Sequence, residues 1–302
     1  LGGGGFSGFG GFTGVQDKDR SLRAGRKTEI NDYLQELLSN EINQKDTEKI
    51  NQRKEEILRK IKEEFEGSFD LSTGGSYSRH TYVNGLSDID ILVNLGNYSD
   101  SKIPEKENSK KVLEYVAEIL RKKYPRTEII VGKMAVTLRF SDGIEIQVLP
   151  AFRYYSGYKI PDPESNGWVT TFPERFRERL TRLNQKYGNR VKPTIKIVKY
   201  LLNKNNVEIS SYHLENIALE AFENYSGNLT YSDMVIHLLN YAKTRVLKRM
   251  SDPSGQSDYV DEYLGESYSP NRSNLAEKIG KLESRLREAE TREDWERIIN
   301  GQ

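Results

Sequence analysis

Asp88 and Asp90 stand one residue apart at the head of the apolar run "DIDILVNL". On a strand, residues i and i+2 point to the same side, so both carboxylates project together. Two like charges so close repel, and a divalent cation removes the repulsion. Mg²⁺ takes hard oxygen ligands and combines one or two carboxylates with phosphate oxygens and water. Alone, an Asp-x-Asp reads equally as the solvated start of a strand. Upstream lies "STGGSYS", Ser72 to Ser78, ahead of a short segment of helical character. Its glycines let backbone N–H groups approach phosphate oxygens, and the Ser76 hydroxyl adds a donor. A lone Gly-Gly-Ser is usually a plain turn. Together the two segments describe a phosphate clamp beside a metal clamp.

Elements must position these groups. From Lys27 to Glu66 apolar residues recur at steps of three and four, as in Ile30, Tyr33, Leu34, Leu37 and Leu38, which predicts helix ending near Gly67. "SDIDILVNL" reads as a half-buried strand, and "SKKVLEYVAEILRKKY" as an amphipathic helix. "RTEIIVG", "KMAVTLRF" and "GIEIQVLPAF" read as three strands with turns at Gly132-Lys133 and Ser141–Gly143. This order predicts a mixed sheet backed by helices. "GYKIPDPESNGWVTTFP", with Pro161, Pro163 and Pro173, reads as a loop. Helices follow at about Glu174–Tyr187, Lys192–Lys204, Ser210–Asn224, Tyr231–Met250 and Arg272–Ile299, with a loop at Ser251–Asn271.

The expected organisation is a Gly-rich flexible arm over 1–26, an α+β core over 27–152 and an all-α half over 153–302, with a cleft between the halves. Lys plus Arg is 46 against 45 for Asp plus Glu, so overall charge favours no long nucleic acid, and any basic site is local. There are 0 cysteines, which excludes disulfides, thiolate zinc sites and cysteine nucleophiles. With only 3 histidines, a histidine-rich metal site is disfavoured too. No stretch of about 18 apolar residues suggests a membrane span, and a cytoplasmic location is expected.

"GGSYSRHTYVNGLSDIDILV" resembles the signature of polymerase-β-type nucleotidyltransferases, more narrowly the cGAS/DncV-like branch related to oligoadenylate synthase. "IEIQVLPAF", "PTIKIVKYLLNK" and "SSYHLENIALEAF" resemble further segments of that family, so the likeness covers the chain from about Leu58 onward. The resemblance implies a polymerase-β-like core plus a helical half. It implies two Mg²⁺ ions, with Mn²⁺ as a substitute, held by Asp88 and Asp90. It implies that Gly75, Ser76 and Lys199 hold a donor triphosphate, that Ser211 supports it and that Tyr212 stacks on a base. The implied activity joins nucleoside triphosphates into a cyclic or short linear oligonucleotide. By the same analogy the product activates a downstream effector in anti-phage defence. Another acceptor keeps the chemistry: a deoxynucleotide oligomer, a tRNA end or a protein hydroxyl.

One position departs from the pattern. The family's third acid falls at Gln147, three before Pro150. An amide can coordinate through its oxygen but brings no negative charge and cannot act as a base. Three readings stand: an acid exchanged for glutamine to block catalysis, a protein naturally lacking that acid and binding nucleotide silently, or Glu145 taking the role from the same strand face. Elsewhere, Lys196 reads as a solvated lysine, and Arg79 and Thr81 as support for the turn. His80 and His213 read as structural or surface residues, and Trp168 as a wall of the acceptor pocket or an apolar plug.

Overall fold

The computed structural model describes residues 12–43, 47–64, 70–73, 79–83, 89–99 and 108–302. The expectations on Gly67, Gly75, Ser76 and Asp88 lie outside these residues. The described helices are α1 (Phe12–Leu37), α2 (Thr47–Glu64), α3 (Ser109–Lys123), α4 (Pro173–Lys186), α5 (Val191–Lys204), α6 (Ser211–Ala221), α7 (Tyr231–Arg245), α8 (Pro270–Glu288) and α9 (Arg292–Ile299). The strands are β1 (Asp70–Thr73), β2 (Ile89–Asn97), β3 (Glu128–Val131), β4 (Val136–Arg139), β5 (Glu145–Tyr154), β6 (Gly157–Pro161) and β7 (Trp168–Thr171).

The strands form one mixed sheet in the order β1-β2-β5-β4-β3, with β6 pairing the far end of β5 and β7 pairing β6. The central pair β2–β5 is parallel, and the other pairs are antiparallel. Alternation sorts β2 cleanly. Ile89, Ile91, Val93 and Leu95 face a core shared with Ile57 and Ile61 of α2 and Val112, Val116 and Leu120 of α3. Asp90, one residue out of phase, falls on the opposite face. α3 starts at Asn108, whose side chain accepts from Lys111 N at 3.2 Å, and ends in Arg121, Lys122 and Lys123, which suit the negative end of its dipole.

A second core fills the other half. It joins Phe176 and Leu180 of α4, Ile195, Val198 and Leu202 of α5, Leu214 and Ile217 of α6, and residues of α7, α8 and α9. Ile30, Leu34 and Leu37 of α1 belong to this core too. Ion pairs reinforce the placement: Arg26–Glu290 at 2.8 Å, Lys27–Asp233 at 2.7 Å and Arg292–Glu36 at 2.7 Å.

Four expectations are corrected. Phe12–Leu37 is one helix, so the arm expected over 1–26 is helical from residue 12. The glycine-rich text ends at Gly14, and the following "VQDKDRSLRA" is composed mostly of residues a helix accepts. α1 packs in the helical half, not in the core assigned to 27–152, because its apolar stripe specifies burial but not the partner. The expected loop after Pro150 holds the β6–β7 hairpin, so the sheet continues to Thr171. Its prolines sit where strands and helices tolerate them, at the end of β6, in the turn and at the first position of α4. Gly157 is required there, since a Cβ would approach the Thr171 carbonyl to 2.5 Å. Finally, the last helix is two, divided by a capping box at Thr291 and Asp294.

Candidate active site

The parallel register sets Asp90 directly opposite Gln147, with Ile89 opposite Ile146. Directly paired residues project to the same face, about 4.8 Å apart between strands. Thr137 of β4 pairs Gln147 from the other side. Asp90 and Gln147 are both half-buried. Glu145 pairs Arg139, and its carboxylate accepts from Arg139 Nε at 2.8 Å. The substitute acid is therefore committed to an ion pair, whereas position 147 faces Asp90.

The segment Arg79–Val83 runs between the two halves. Tyr82 is buried in the sheet's core and Val83 in the helical core. His80 is exposed with φ +58°, in the left-handed region. The neighbours of His80 reach into the junction. Thr81 Oγ1 donates to Glu215 Oε1 at 2.5 Å, and Arg79 Nε donates to Glu215 Oε2. Lys199 Nζ donates to Glu215 Oε1 at 2.7 Å and to the Thr81 carbonyl at 3.0 Å. Lys199 is thus a buried lysine in an ion pair, on the α5 face turned toward the sheet half.

Burial pushes the Glu215 carboxyl up, but the charges of Arg79 and Lys199 and bonds from Lys199 and Thr81 hold it down at about 2. Burial pushes the Lys199 ammonium down, opposed by Glu215 and, more weakly, by Asp90. Asp90 therefore lies within electrostatic reach of Lys199. The Glu215 shift carries a prediction. A carboxyl depressed from 4.5 to about 2 stabilises the fold above pH 4.5 and loses that contribution as pH falls toward 2. Urea denaturation between pH 5 and 2 is expected to show a loss on the order of 3 kcal/mol from this group, absent in Glu215→Gln.

Ser210 caps α6, accepting from His213 N at 3.1 Å, and places Ser211 and Tyr212 on its first turn. Ser211 and Lys199 share the wall of a cavity of about 420 Å³ with Asn203, Ser210 and Tyr263. The Tyr212 ring lies 5.0 Å from that of Phe176, and the Arg79 guanidinium is 5.5 Å from each ring. The Tyr212 hydroxyl donates to Asp252 at 2.8 Å. His213 is fully buried, bonded through Nδ1 to the Tyr263 hydroxyl at 3.0 Å, and burial lowers its pKa to about 4. Lys196 is buried and donates to Asn43 at 2.8 Å, so it is not a solvated lysine. Trp168 packs edge-on against Phe152 at 5.0 Å, within the sheet's aromatic cluster. The structure adds a role for Glu215, the acid that closes the "SYHLE" stretch of the family-like segment, to which the sequence assigned none.

Among the described residues no three carboxylate or imidazole groups gather. The donors present, the Asp90 carboxylate and the Gln147 amide oxygen, are hard oxygens of the kind Mg²⁺ accepts, with one negative charge instead of two.

Residues 29–184 match the Second Messenger Oligonucleotide or Dinucleotide Synthetase domain family. The chain belongs to this family. It is a cGAS/DncV-like nucleotidyltransferase, an enzyme of nucleotide second-messenger synthesis, and the family uses divalent metal ions. A probable cyclic nucleotide synthase of Bacillus cereus strain VD146 is 27% identical over 266 residues, covering 76% of this chain and 80% of the relative. The fold is shared with CdnC of E. coli MS115-1 solved with ATP, at TM-score 0.68 and 15% identity over 90% of this chain and 98% of that one. CdnG of Bradyrhizobium diazoefficiens, solved with GTP, gives TM-score 0.69 and 16% identity over 90% and 96%. DncV of Vibrio cholerae in its apo form gives 0.61 and 10% over 95% and 88%. These likenesses establish the polymerase-β-like fold with its helical half. Among the described residues no helix is long and apolar enough to cross a membrane.

Proposed function

We propose that this family member joins nucleoside triphosphates into a cyclic or short linear oligonucleotide, releasing pyrophosphate, in a Mg²⁺-dependent reaction. The observation that carries the reading is the register: Asp90 faces position 147 across parallel strands, with Lys199 as their electrostatic neighbour. In this reading Asp88 and Asp90 are the metal ligands. Gly75, Ser76 and Lys199 hold the triphosphate, Ser211 supports it, and Tyr212 meets the base. Bound Mg²⁺ supplies Lewis-acid charge at the transferred phosphoryl group and the leaving pyrophosphate. The B. cereus relative's name, and the ATP and GTP in the CdnC and CdnG structures, support nucleotide substrates and a cyclic product. Action in the cytoplasm, on an effector of anti-phage defence, rests on family analogy.

Gln147 favours a second reading, a protein that binds nucleotide without turnover. Mass spectrometry separates the two after the Gln147→Glu form is incubated with the four ribonucleoside triphosphates and Mg²⁺. The expected result is a phosphodiester-linked oligonucleotide with stoichiometric pyrophosphate, and none from the same form carrying Asp90→Asn. Nucleotide binding without product supports the silent reading. A mass increase on the protein itself transfers the activity to another acceptor.

A further inference from the structure

Glu215 has no exposed surface and sits on α6 among Leu214, Ile217 and Ala218 of the helical core. A charge taken out of water is strongly unfavourable unless paired and hydrogen-bonded, and an apolar side chain of similar size often serves stability as well. The carboxylate is fully used here. One oxygen takes Lys199 and Thr81, and the other takes Arg79. The partners come from α5 and from the segment beside the Gly-Ser. One carboxylate thereby ties the phosphate-side lysine to the signature segment.

A lysine is a point charge on a flexible stem, and its ammonium has three N–H donors. Two are spent inside the junction, on Glu215 and on the Thr81 carbonyl. We propose that Glu215 is a positioning residue for nucleotide binding: it fixes Lys199 so that the third N–H is left for a triphosphate. This rests on the nucleotidyltransferase reading above. Through Arg79, which lies beside the Tyr212 and Phe176 rings, the same carboxylate holds the base-side aromatic residues. Two cations around one carboxylate leave the cluster one net positive charge, which suits an anionic ligand.

Calorimetric titration of the full chain with ATP and with GTP, in the presence of Mg²⁺, tests this. Glu215→Gln is expected to weaken binding about tenfold, because an amide puts a donor where Arg79 or Lys199 already donates. In a Lys199→Met background the same change is expected to cost about threefold or less, since only its route through Arg79 remains. Equal losses in both backgrounds overturn the proposal, because a purely structural role is indifferent to Lys199. Thr81→Val removes one bond to the carboxylate and keeps every charge, and an expected loss of about threefold decides the matter if Glu215→Gln does not fold. If the unaltered chain binds neither nucleotide, the functional reading fails. If it binds both and the variants bind equally well, the positioning role alone fails.

Discussion

Replacing Gln147 by glutamate is expected to raise the rate of pyrophosphate release roughly a hundredfold or more, the scale at which single preorganised electrostatic groups act in catalysis. The argument is geometric first. Position 147 is the direct cross-strand partner of Asp90 on a parallel pair, so a carboxylate there enters the same cation's reach with no backbone movement. It is electrostatic second, because a glutamine contributes an oxygen but not the charge that draws in a second cation. Glu145 is a poor replacement. It lies two residues along β5, roughly 7 Å away, and is held by Arg139. Glu145→Ala in the Gln147→Glu form is therefore expected to keep the rate within a few-fold. An unchanged rate for Gln147→Glu would sink the blocked-acid reading. Loss of activity on Glu145→Ala would restore the relocated-acid one.

Arg272→Ala is expected to destabilise the helical half by ~3–5 kcal/mol, the cost of stripping a buried charge of its partner. Arg272 is fully buried on α8. It donates to Asp261 Oδ2 at 2.6 Å and to the carbonyls of Val246 at 2.9 Å, Lys248 at 3.2 Å, Gly265 at 3.0 Å and Glu266 at 3.0 Å. The connection from α7 to α8 is folded by turns and a single bridge, and this guanidinium bonds carbonyls along it that no long helix or sheet occupies. Urea denaturation measures the loss. Arg272→Lys is expected to recover only part of it, because three donors cannot replace five in a planar fork. The same connection carries Asp252, which accepts from the Tyr212 hydroxyl, so the variant is also expected to loosen Tyr212, the residue proposed to meet the base.

Local pattern made much of this legible. The strand after Asp88, the three strands ending in "IQVLPAF" and the helices of the second half follow from periods of two and of three to four. The departure at Gln147 stands out because the segment around it matches the family. What the sequence withholds is partnership. α1 has an apolar face whichever core it meets, and only the fold shows that it meets α7 and α9. The β6–β7 hairpin hides behind three prolines whose places in the strand register are not visible in the text. Arg79 and Glu215 lie 136 residues apart, so nothing in either segment announces the other. The parts of the site at Gly75, Ser76 and Asp88 rest on the resemblance.

The chain crosses between the two halves twice, once after α1 and again between β7 and α4. Each crossing is pinned: Lys196 holds Asn43 and Tyr200 holds Glu41 at the first, and Phe172 N donates to the Ser254 carbonyl at 3.1 Å at the second. A third tie lies at the junction itself, where Arg79 and Thr81 bond Glu215, Lys199 bonds the Thr81 carbonyl and Val83 enters the helical core. Two attachments leave a hinge line, but a third beside them removes it. The halves are thus braced like a three-legged stool, which sets Lys199 relative to the sheet without a swinging joint.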